Sequence, residues 1–316
     1  MVRCGIAEAF RGLERLFIMK ENRNENEMIE RLIRWAEGQP LVRAMLLTSS
    51  RAVPNAPVDV FSDYDVILAL LDVQPFYQDR AWLEAFSPVL VVYRDPLTPE
   101  AGFLTSAYIT QYENGLKIDF TLWPVEILQN IASGVQLPPE FDAGYRVLLD
   151  KDHLTGRLKP PTYTAYIPTP PAETEYHEVV EVFFHEATYV AKHLWRGDLM
   201  AAKYNLDHAM KLENLRLMLE WRVEIDHQWS VKPGTYGRRL KKWLSPDLWA
   251  ELENTYTGAG LEENWEAMFR TIALFRKVAI AVGDRLGYVY PHDLDRRTVA
   301  YLHKVKNLEP GADRFS

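Results

Sequence analysis

The sequence predicts an α+β chain in two parts: an N-terminal domain with a mixed or antiparallel sheet flanked by helices, and a C-terminal all-α helical bundle. Three observations predict it. Short apolar runs with period-two alternation are interleaved with helical stretches as far as Asp150. Pro160, Pro161, Pro168, Pro170 and Pro171 then crowd a short span, a density that neither a helix nor a central strand sustains. From Glu173 onward apolar residues recur at helical spacing almost to the end, as in Val179, Val182, Phe183, Ala187, Val190 and Leu194. The expected organisation is an N-terminal extension over 1–18, a sheet domain over 19–158, a proline-rich, semi-rigid linker over 159–172 and a helical domain over 173–316.

The elements follow in order. Glu27 to Glu37 is a helical stretch, Val42 to Thr48 a strand and Asp63 to Leu71 a second strand. Pro75 opens a helix running through Phe86, since proline suits a first turn. Pro88 to Tyr93 and Leu104 to Tyr112 are strands, and Asn114-Gly115 is a hairpin turn leading into the strand around Asp119. Trp123-Pro124 ends that strand and starts a helix to Ile131; Tyr145 to Leu149 is the last strand. In the second half Gly197 breaks the first helix, a long helix runs from Leu199 to Ile225, and others start at Tyr236, Pro246, Glu262 and after His292-Asp293. Ile6, Phe10, Leu13 and Phe17 stand at helical spacing in the extension, and Met19 is an alternative natural start.

Composition narrows the function. The chain of 316 residues is 47% hydrophobic and 25% charged, the balance of an ordinary globular protein. Cys4 is the single cysteine, so no intramolecular disulfide forms. No apolar run approaches the ~20 residues of a membrane helix, and Arg3, Glu8, Arg11, Glu14 and Arg15 interrupt any signal-peptide core. A cytoplasmic enzyme is expected, with no membrane partner. A net charge of -8 argues against nucleic acid and suits a cationic small molecule, although solubility alone also explains it.

The motifs that carry chemistry are Thr48-Ser49-Ser50-Arg51, Phe61-Ser62-Asp63-Tyr64-Asp65-Val66 and Lys117-Ile118-Asp119-Phe120. Residues two apart on a strand share a face, so Asp63 and Asp65 project together, and Lys117, Asp119 and Thr121 share one face of the later strand. If the strands are neighbours, three acids meet at one sheet edge. Unpaired carboxylates are expensive to bury, so such a cluster calls for a metal. A divalent metal beside a small-residue turn that can grip phosphate points to nucleotide chemistry. An Asp-x-Asp pair alone is usually a solvated strand end; the ordered combination is what is specific.

That order resembles the polymerase-β-like nucleotidyltransferases, and within them the aminoglycoside 6-adenylyltransferases that modify streptomycin. The resemblance covers Met28 to about Leu302. It rests on Glu27-Met28-Ile29-Glu30-Arg31-Leu32-Ile33, on the two aspartate motifs, and on later segments: Tyr189-Val190-Ala191-Lys192-His193-Leu194-Trp195-Arg196, Ala202-Lys203-Tyr204-Asn205-Leu206-Asp207-His208, Met218-Leu219-Glu220-Trp221 and Leu286-Gly287-Tyr288-Val289-Tyr290-Pro291. One departure stands out: Ser49 occupies the place where the family has glycine, the residue that most freely takes φ > 0 and lets a backbone approach phosphate.

The resemblance implies transfer of AMP from ATP to the 6-hydroxyl of streptomycin, with release of pyrophosphate. Asp63 and Asp65 would hold Mg2+, and Asp119 would either complete a second metal site or accept the proton of the attacking hydroxyl. Ser49, Ser50 and their amides would hold the terminal phosphates. Arg51 would pair with phosphate oxygens or else with Asp63 or Glu113. Lys192 would reach the triphosphate or be a solvated helix lysine. Asp207, His208 and Glu186 are the candidate contacts to a cationic, streptomycin-like aminoglycoside, because a carboxylate matches a guanidinium fork; Glu178, Glu181 and Glu220 are weaker ones. Trp195, Trp221 and Trp229 belong to the core, and His177, His185 and His193 make no zinc site. Two alternatives stay open: another small-molecule or protein hydroxyl as acceptor, or a non-catalytic nucleotide-binding regulator. The chain is expected to be a monomer or a homodimer.

Overall fold

A computed structural model describes residues 25–315 of the chain except 55, 101, 232, 233, 310 and 313. The expected extension over 1–18, with its helical spacing, lies outside the described residues. The chain divides into two compact units, Met1–Tyr166 and Ile167–Ser316.

In the first unit a helix over residues 25–37 (α1) precedes β1 (Val42–Thr48), a single 3-10 turn at Ser49–Ala52, and β2 (Tyr64–Leu70). Then come α2 (Gln74–Gln78), a 3-10 turn at Ala81–Ala85, β3 (Val89–Arg94), β4 (Thr98–Glu100), β5 (Phe103–Tyr112) and β6 (Lys117–Pro124). Two helices, α3 (Val125–Ser133) and α4 (Pro139–Asp142), lead to β7 (Tyr145–Asp150). The sheet has the order β3-β5-β6-β2-β1-β7, with β4 added on β5. All pairings are antiparallel except β2 with β6, which run parallel. The sheet is therefore mixed, and its two central strands present their N-terminal ends at the same edge.

Strand alternation sorts the two faces. On one face Tyr64, Val66, Leu68, Ile118, Phe120 and Leu122 pack with Ile29, Leu32 and Ala36 of α1. Trp35 of α1 stacks on Trp82 at 5.3 Å between centroids, and Trp82 meets Phe120 edge-on at 4.9 Å. On the other face Leu46, Ile67, Ala69 and Trp123 pack with Leu128 of α3 and Phe141 of α4. The C-terminus of α1 is closed by Lys151, whose ammonium donates to the carbonyls of Ala36, Glu37 and Gln39 at 2.9, 3.1 and 2.9 Å. The hairpin turn is made at Gly115, with φ +85°.

The helix expected from Pro75 to Phe86 is two pieces. Asp72 accepts the Gln74 N–H and Asp79 accepts the Ala81 N–H, each at 2.9 Å, so each aspartate starts its own short turn. Strand β4 and helix α4 were not anticipated; both are too short to carry a periodic signal.

The second unit is helical. It contains α5 (Glu173–Arg196), α6 (Leu199–Lys203), a π-helical segment Tyr204–Leu215, and α7 (Arg216–Asp226). After a 3-10 turn at Thr235–Gly237 come α8 (Leu240–Trp243), α9 (Pro246–Glu253), α10 (Leu261–Leu286) and α11 (His292–Lys306). Gly197 ends α5 in the left-handed conformation, with φ +75°. Phe183 of α5 stacks on Phe275 of α10 at 3.6 Å, and the Tyr176 hydroxyl donates to the Ala279 carbonyl at 2.9 Å. Asp295 of α11 is buried and receives the Arg276 guanidinium and the Tyr290 hydroxyl, the latter at 2.8 Å.

The rod expected as one α-helix from Leu199 to Ile225 is widened in its middle to the π form, where buried Asn214 donates its amide to the Ala209 carbonyl at 2.8 Å. Tyr236, expected to open a helix, sits at φ +56° inside a 3-10 turn, and regular helix resumes only at Leu240. The boundary between units falls within the proline-rich stretch. The first part of that stretch is tied to the sheet unit, with the Thr162 N–H and hydroxyl held by Asp142 at 2.8 and 2.6 Å. Among the described residues no helix is long and apolar enough to cross a membrane.

Gly283 of α10 provides a packing test. A Cβ there would lie 2.9 Å from both the Tyr176 hydroxyl and the Tyr288 carbonyl oxygen. Gly283→Ala is expected to destabilise the protein by about 1–3 kcal/mol, whereas Gly258→Ala, where a Cβ meets nothing within 4 Å, should change stability by no more than about 0.5 kcal/mol. Guanidinium unfolding of both variants checks this, and equal midpoints would refute the close approach.

Candidate active site

The site is built where β1 ends and β2 and β6 begin. In the parallel register Asp65 lies opposite Asp119, and in the antiparallel register Thr48 lies opposite Asp65. Asp63 stands immediately before β2. Lys117, the first residue of β6, reaches across with its ammonium 2.5 Å from Asp63 Oδ2 and 3.0 Å from Asp119 Oδ2. Thus three carboxylates line one sheet edge and a single ammonium bridges two of them.

The electrostatics follow from burial and like charge. Burial and the neighbouring Asp119 carboxylate push Asp65 up to about 6, against the opposing pull of the Ser49 hydroxyl and Lys117. Burial likewise raises Asp119, with Lys117 working the other way. Burial disfavours the Lys117 charge, but its hydrogen bonds to Asp63 and Asp119 outweigh that and the ammonium is held more strongly than usual. Asp119 Oδ1 is buried and has no hydrogen-bond partner.

Asp63, Asp65 and Asp119 meet at this edge, although among the described residues no group of three His, Cys, Asp or Glu side chains is gathered closely enough to hold a metal ion. The Lys117 ammonium lies between two of the acids. The donor set nevertheless fits a hard divalent cation. It consists of carboxylate oxygens only, and the Asp119 Oδ1 atom is left over.

The turn after β1 takes the conformation that a glycine adopts most cheaply. Ser49 has φ +58° and is exposed, and its hydroxyl is directed to the Asp65 carboxylate. Ser50 follows in the same 3-10 turn, half-buried.

Arg51 is engaged by groups of the protein itself. Its Nε donates to the Ser62 and Asp63 carbonyls at 3.2 and 3.1 Å, its Nη2 to Ser62 at 2.8 Å, and its Nη1 lies 3.4 Å from Glu25. The guanidinium also covers the Tyr64 ring at 4.0 Å. Its ion-pair partner is Glu25 rather than Asp63 or Glu113, the partners weighed as the alternative to phosphate, and its hydrogen bonds fasten the loop that carries Asp63. The same loop is braced internally, with Asp59 accepting the Phe61 N–H at 2.9 Å and Ser62 Oγ accepting the Asp59 N–H at 2.9 Å.

The remaining candidates lie in the helical unit. Lys192 sits on α5 with its ammonium 4.0 Å above the Tyr189 ring. Glu186 accepts from the Asn205 amide at 2.7 Å. His208 stacks on Tyr204 at 5.1 Å and lies 3.7 Å from Glu213. Asp207 is not a free carboxylate: Lys203 pairs with one oxygen at 2.6 Å and the fully buried Lys211 with the other at 2.8 Å. Lys211 also donates to the Thr255 carbonyl at 2.6 Å, so this group ties the π segment to the loop after α9. Glu220 is likewise engaged by Arg216 at 2.7 Å. Sequence reasoning placed Lys117 on the same face as Asp119 but assigned it no role. The signal that could have found it is the spacing of two, which puts a cation beside an acid that needs one.

Comparison with known proteins follows the same lines. A model of the streptomycin adenylyltransferase family matches residues 22–305. The chain is 31% identical over 287 residues to the aminoglycoside 6-adenylyltransferase of Bacillus subtilis (strain 168), covering 90% of this chain and 98% of the relative. It is 28% identical over 274 residues to the Campylobacter jejuni aminoglycoside 6-adenylyltransferase, covering 85% and 91%. A crystal structure of an aminoglycoside 6-adenyltransferase from Bacillus subtilis matches at 27% identity with a TM-score of 0.45, covering 90% of this chain and 99% of that one. With the family model spanning the acid edge of the sheet unit and most of the helical unit, the chain belongs to the streptomycin adenylyltransferase family.

Proposed function

We propose that the protein transfers AMP from ATP to the 6-hydroxyl of a streptomycin-like aminoglycoside and releases pyrophosphate. The observation that carries this reading is the in-register pairing of Asp65 with Asp119 on parallel strands, with Asp63 two residues ahead, in a chain of this family. The hydroxyl oxygen attacks the α-phosphorus, a new P–O bond forms, and the bond to pyrophosphate breaks. Asp119 either accepts the hydroxyl proton or, through the oxygen that has no other partner, completes the metal site, the proton then leaving to solvent. Asp63 and Asp65 would hold Mg2+, which when bound would supply charge neutralisation to the phosphate chain. Ser49 orients the Asp65 carboxylate, and Arg51 holds the backbone of Asp63 in place. Electrostatic positioning of this kind is the main source of rate in phosphoryl-group chemistry. The excess of acids over bases across the chain suits a cationic acceptor and a cytoplasmic setting.

Streptomycin incubated with the protein, ATP and magnesium is expected to gain one adenylyl group by mass spectrometry. Asp63→Asn, Asp65→Asn and Asp119→Asn should each lower the rate at least a hundredfold, roughly the scale of losing one electrostatic contact to a transition state. Full activity in any of them would remove that residue from the site. If ATP binds but streptomycin stays unmodified, another acceptor is indicated.

Asp65 also gives a pH signature. Its folded value of about 6 lies above the ordinary 3.8, so the folded state binds the proton more tightly. Its ionisation then costs stability that is absent below pH ~4, grows through pH 4–6 and is complete above. In protein stripped of divalent ions by chelator, Asp65→Asn should therefore raise stability at pH 7 by about 1–3 kcal/mol and make no difference near pH 4. Urea titrations at the two pH values measure it; a variant no more stable than wild type at pH 7 would contradict the raised value.

A further inference from the structure

Lys117 is the one cation that pairs with the acid edge among the described residues, and the bridge it makes is incomplete. Its ammonium contacts Asp63 Oδ2 and Asp119 Oδ2, while Asp119 Oδ1 remains buried without a partner and Asp65 forms no ion pair. One positive charge thus answers three negative ones. Arg51 does not make up the deficit, because its guanidinium faces Glu25 and the carbonyls of Ser62 and Asp63 rather than the three acid side chains. Lys117 is also able to move. It is 30% exposed, stands at the first position of β6 next to the hairpin turn, and carries its charge on a flexible four-carbon stem. A rotamer change would withdraw the ammonium without disturbing the strand pairing of Ile118 and Asp119.

We propose that Lys117 is an exchangeable counter-cation of the acid edge. Its ammonium clamps Asp63 and Asp119 together, gives up those oxygens to a divalent cation, and then neutralises the polyphosphate of the nucleotide. A divalent cation brings twice the charge to the same oxygens and can also use the orphaned Asp119 Oδ1, so the exchange is favourable. The displaced ammonium loses both anionic partners at once, and the incoming phosphate chain is the new anion within its reach. Lys117 is therefore a positioning residue twice over: it keeps like-charged carboxylates from repelling each other apart, and it delivers a cation to the phosphates at the moment they arrive. This inference rests on reading the edge as a nucleotidyl-transfer site.

The test uses the wild-type chain first. Lysine acetylation by a water-soluble reagent is quantified at Lys117 by peptide mass spectrometry, with Mn2+ binding followed in parallel by electron paramagnetic resonance. Mn2+ alone should increase acetylation of Lys117 severalfold, and Mn2+ with a non-hydrolysable ATP analogue should suppress it again. Mn2+ bound with Lys117 acetylation unchanged would overturn the exchange while leaving the metal reading standing. No bound Mn2+ would instead remove the metal reading, and the exchange with it. Lys117→Met should bind Mn2+ in the absence of nucleotide at least about tenfold more tightly, since a competing charge is gone. Unchanged or weaker Mn2+ binding in that variant would show that Lys117 only braces the carboxylates.

Discussion

The parallel pairing of β2 with β6 is the constraint on which the rest depends. It is the only parallel pair in the described sheet, and it places Asp65 beside Asp119 at a shared edge. An antiparallel pairing in this position would have sent the two carboxylates to opposite ends of the sheet. Everything around the pair serves to tolerate what it creates. The ammonium of Lys117 lies between two of the acids, the Ser49 hydroxyl faces the third, and Arg51 anchors the loop from which the first projects. The cost that remains is read in the raised proton affinities of Asp65 and Asp119.

Much of this was legible from residue order alone, because it is written in period two. Lys117, Asp119 and Thr121 alternate with Ile118, Phe120 and Leu122, and burial follows the alternation residue by residue from Lys117 to Leu122. Asn114-Gly115 marks the β5–β6 turn and Gly197 the end of α5, each by the left-handed backbone that glycine supplies. What escaped was decided by local competition for backbone groups and by a helix form with no period of its own. A helix from Pro75 to Phe86 fails because Asp72 and Asp79 compete for backbone donors. The π form between Tyr204 and Leu215 has no periodic mark that distinguishes it from an ordinary helix.

Charge assignments were harder to read than elements, and for one reason: a charged side chain's role depends on what meets it. Arg51 follows a serine pair in a turn and so suggests phosphate, yet Glu25 of α1 claims it. Glu25 also lies 3.7 Å from Arg146 of β7, so one carboxylate serves two arginines from separate parts of the sheet unit. Asp207 suggests a guanidinium partner from outside, yet Lys203 and Lys211 are its partners within the same rod. A buried lysine such as Lys211, whose proton affinity is lowered by burial, is tolerable only with such a carboxylate and the Thr255 carbonyl beside it. The Arg51–Glu25 pair joins distant parts of the chain with no sequence signal, and the Asp207 pairs have only the i,i+4 spacing that many solvated helix faces share.

Several unfavourable features of the sheet unit meet at the acid edge. Ser49 holds a left-handed backbone that costs a side-chain-bearing residue on the order of 1 kcal/mol. Asp65 and Asp119 are carboxylates with depressed acidity, and Asp119 Oδ1 is buried without a partner. These costs are borne by what lies across the strands. The same alternation that turns Asp119 to the edge turns Phe120 into the ring cluster of Trp35, Trp82 and Phe86. The hydroxyls of Tyr108 and Tyr112 close that cluster by bonding the backbone around α2 and the turn after it. A strand locked on its inner face by aromatic packing cannot relax its outer face to separate the acids. The site therefore keeps its high negative charge density, which is what the proposed transfer would draw on to hold a divalent cation.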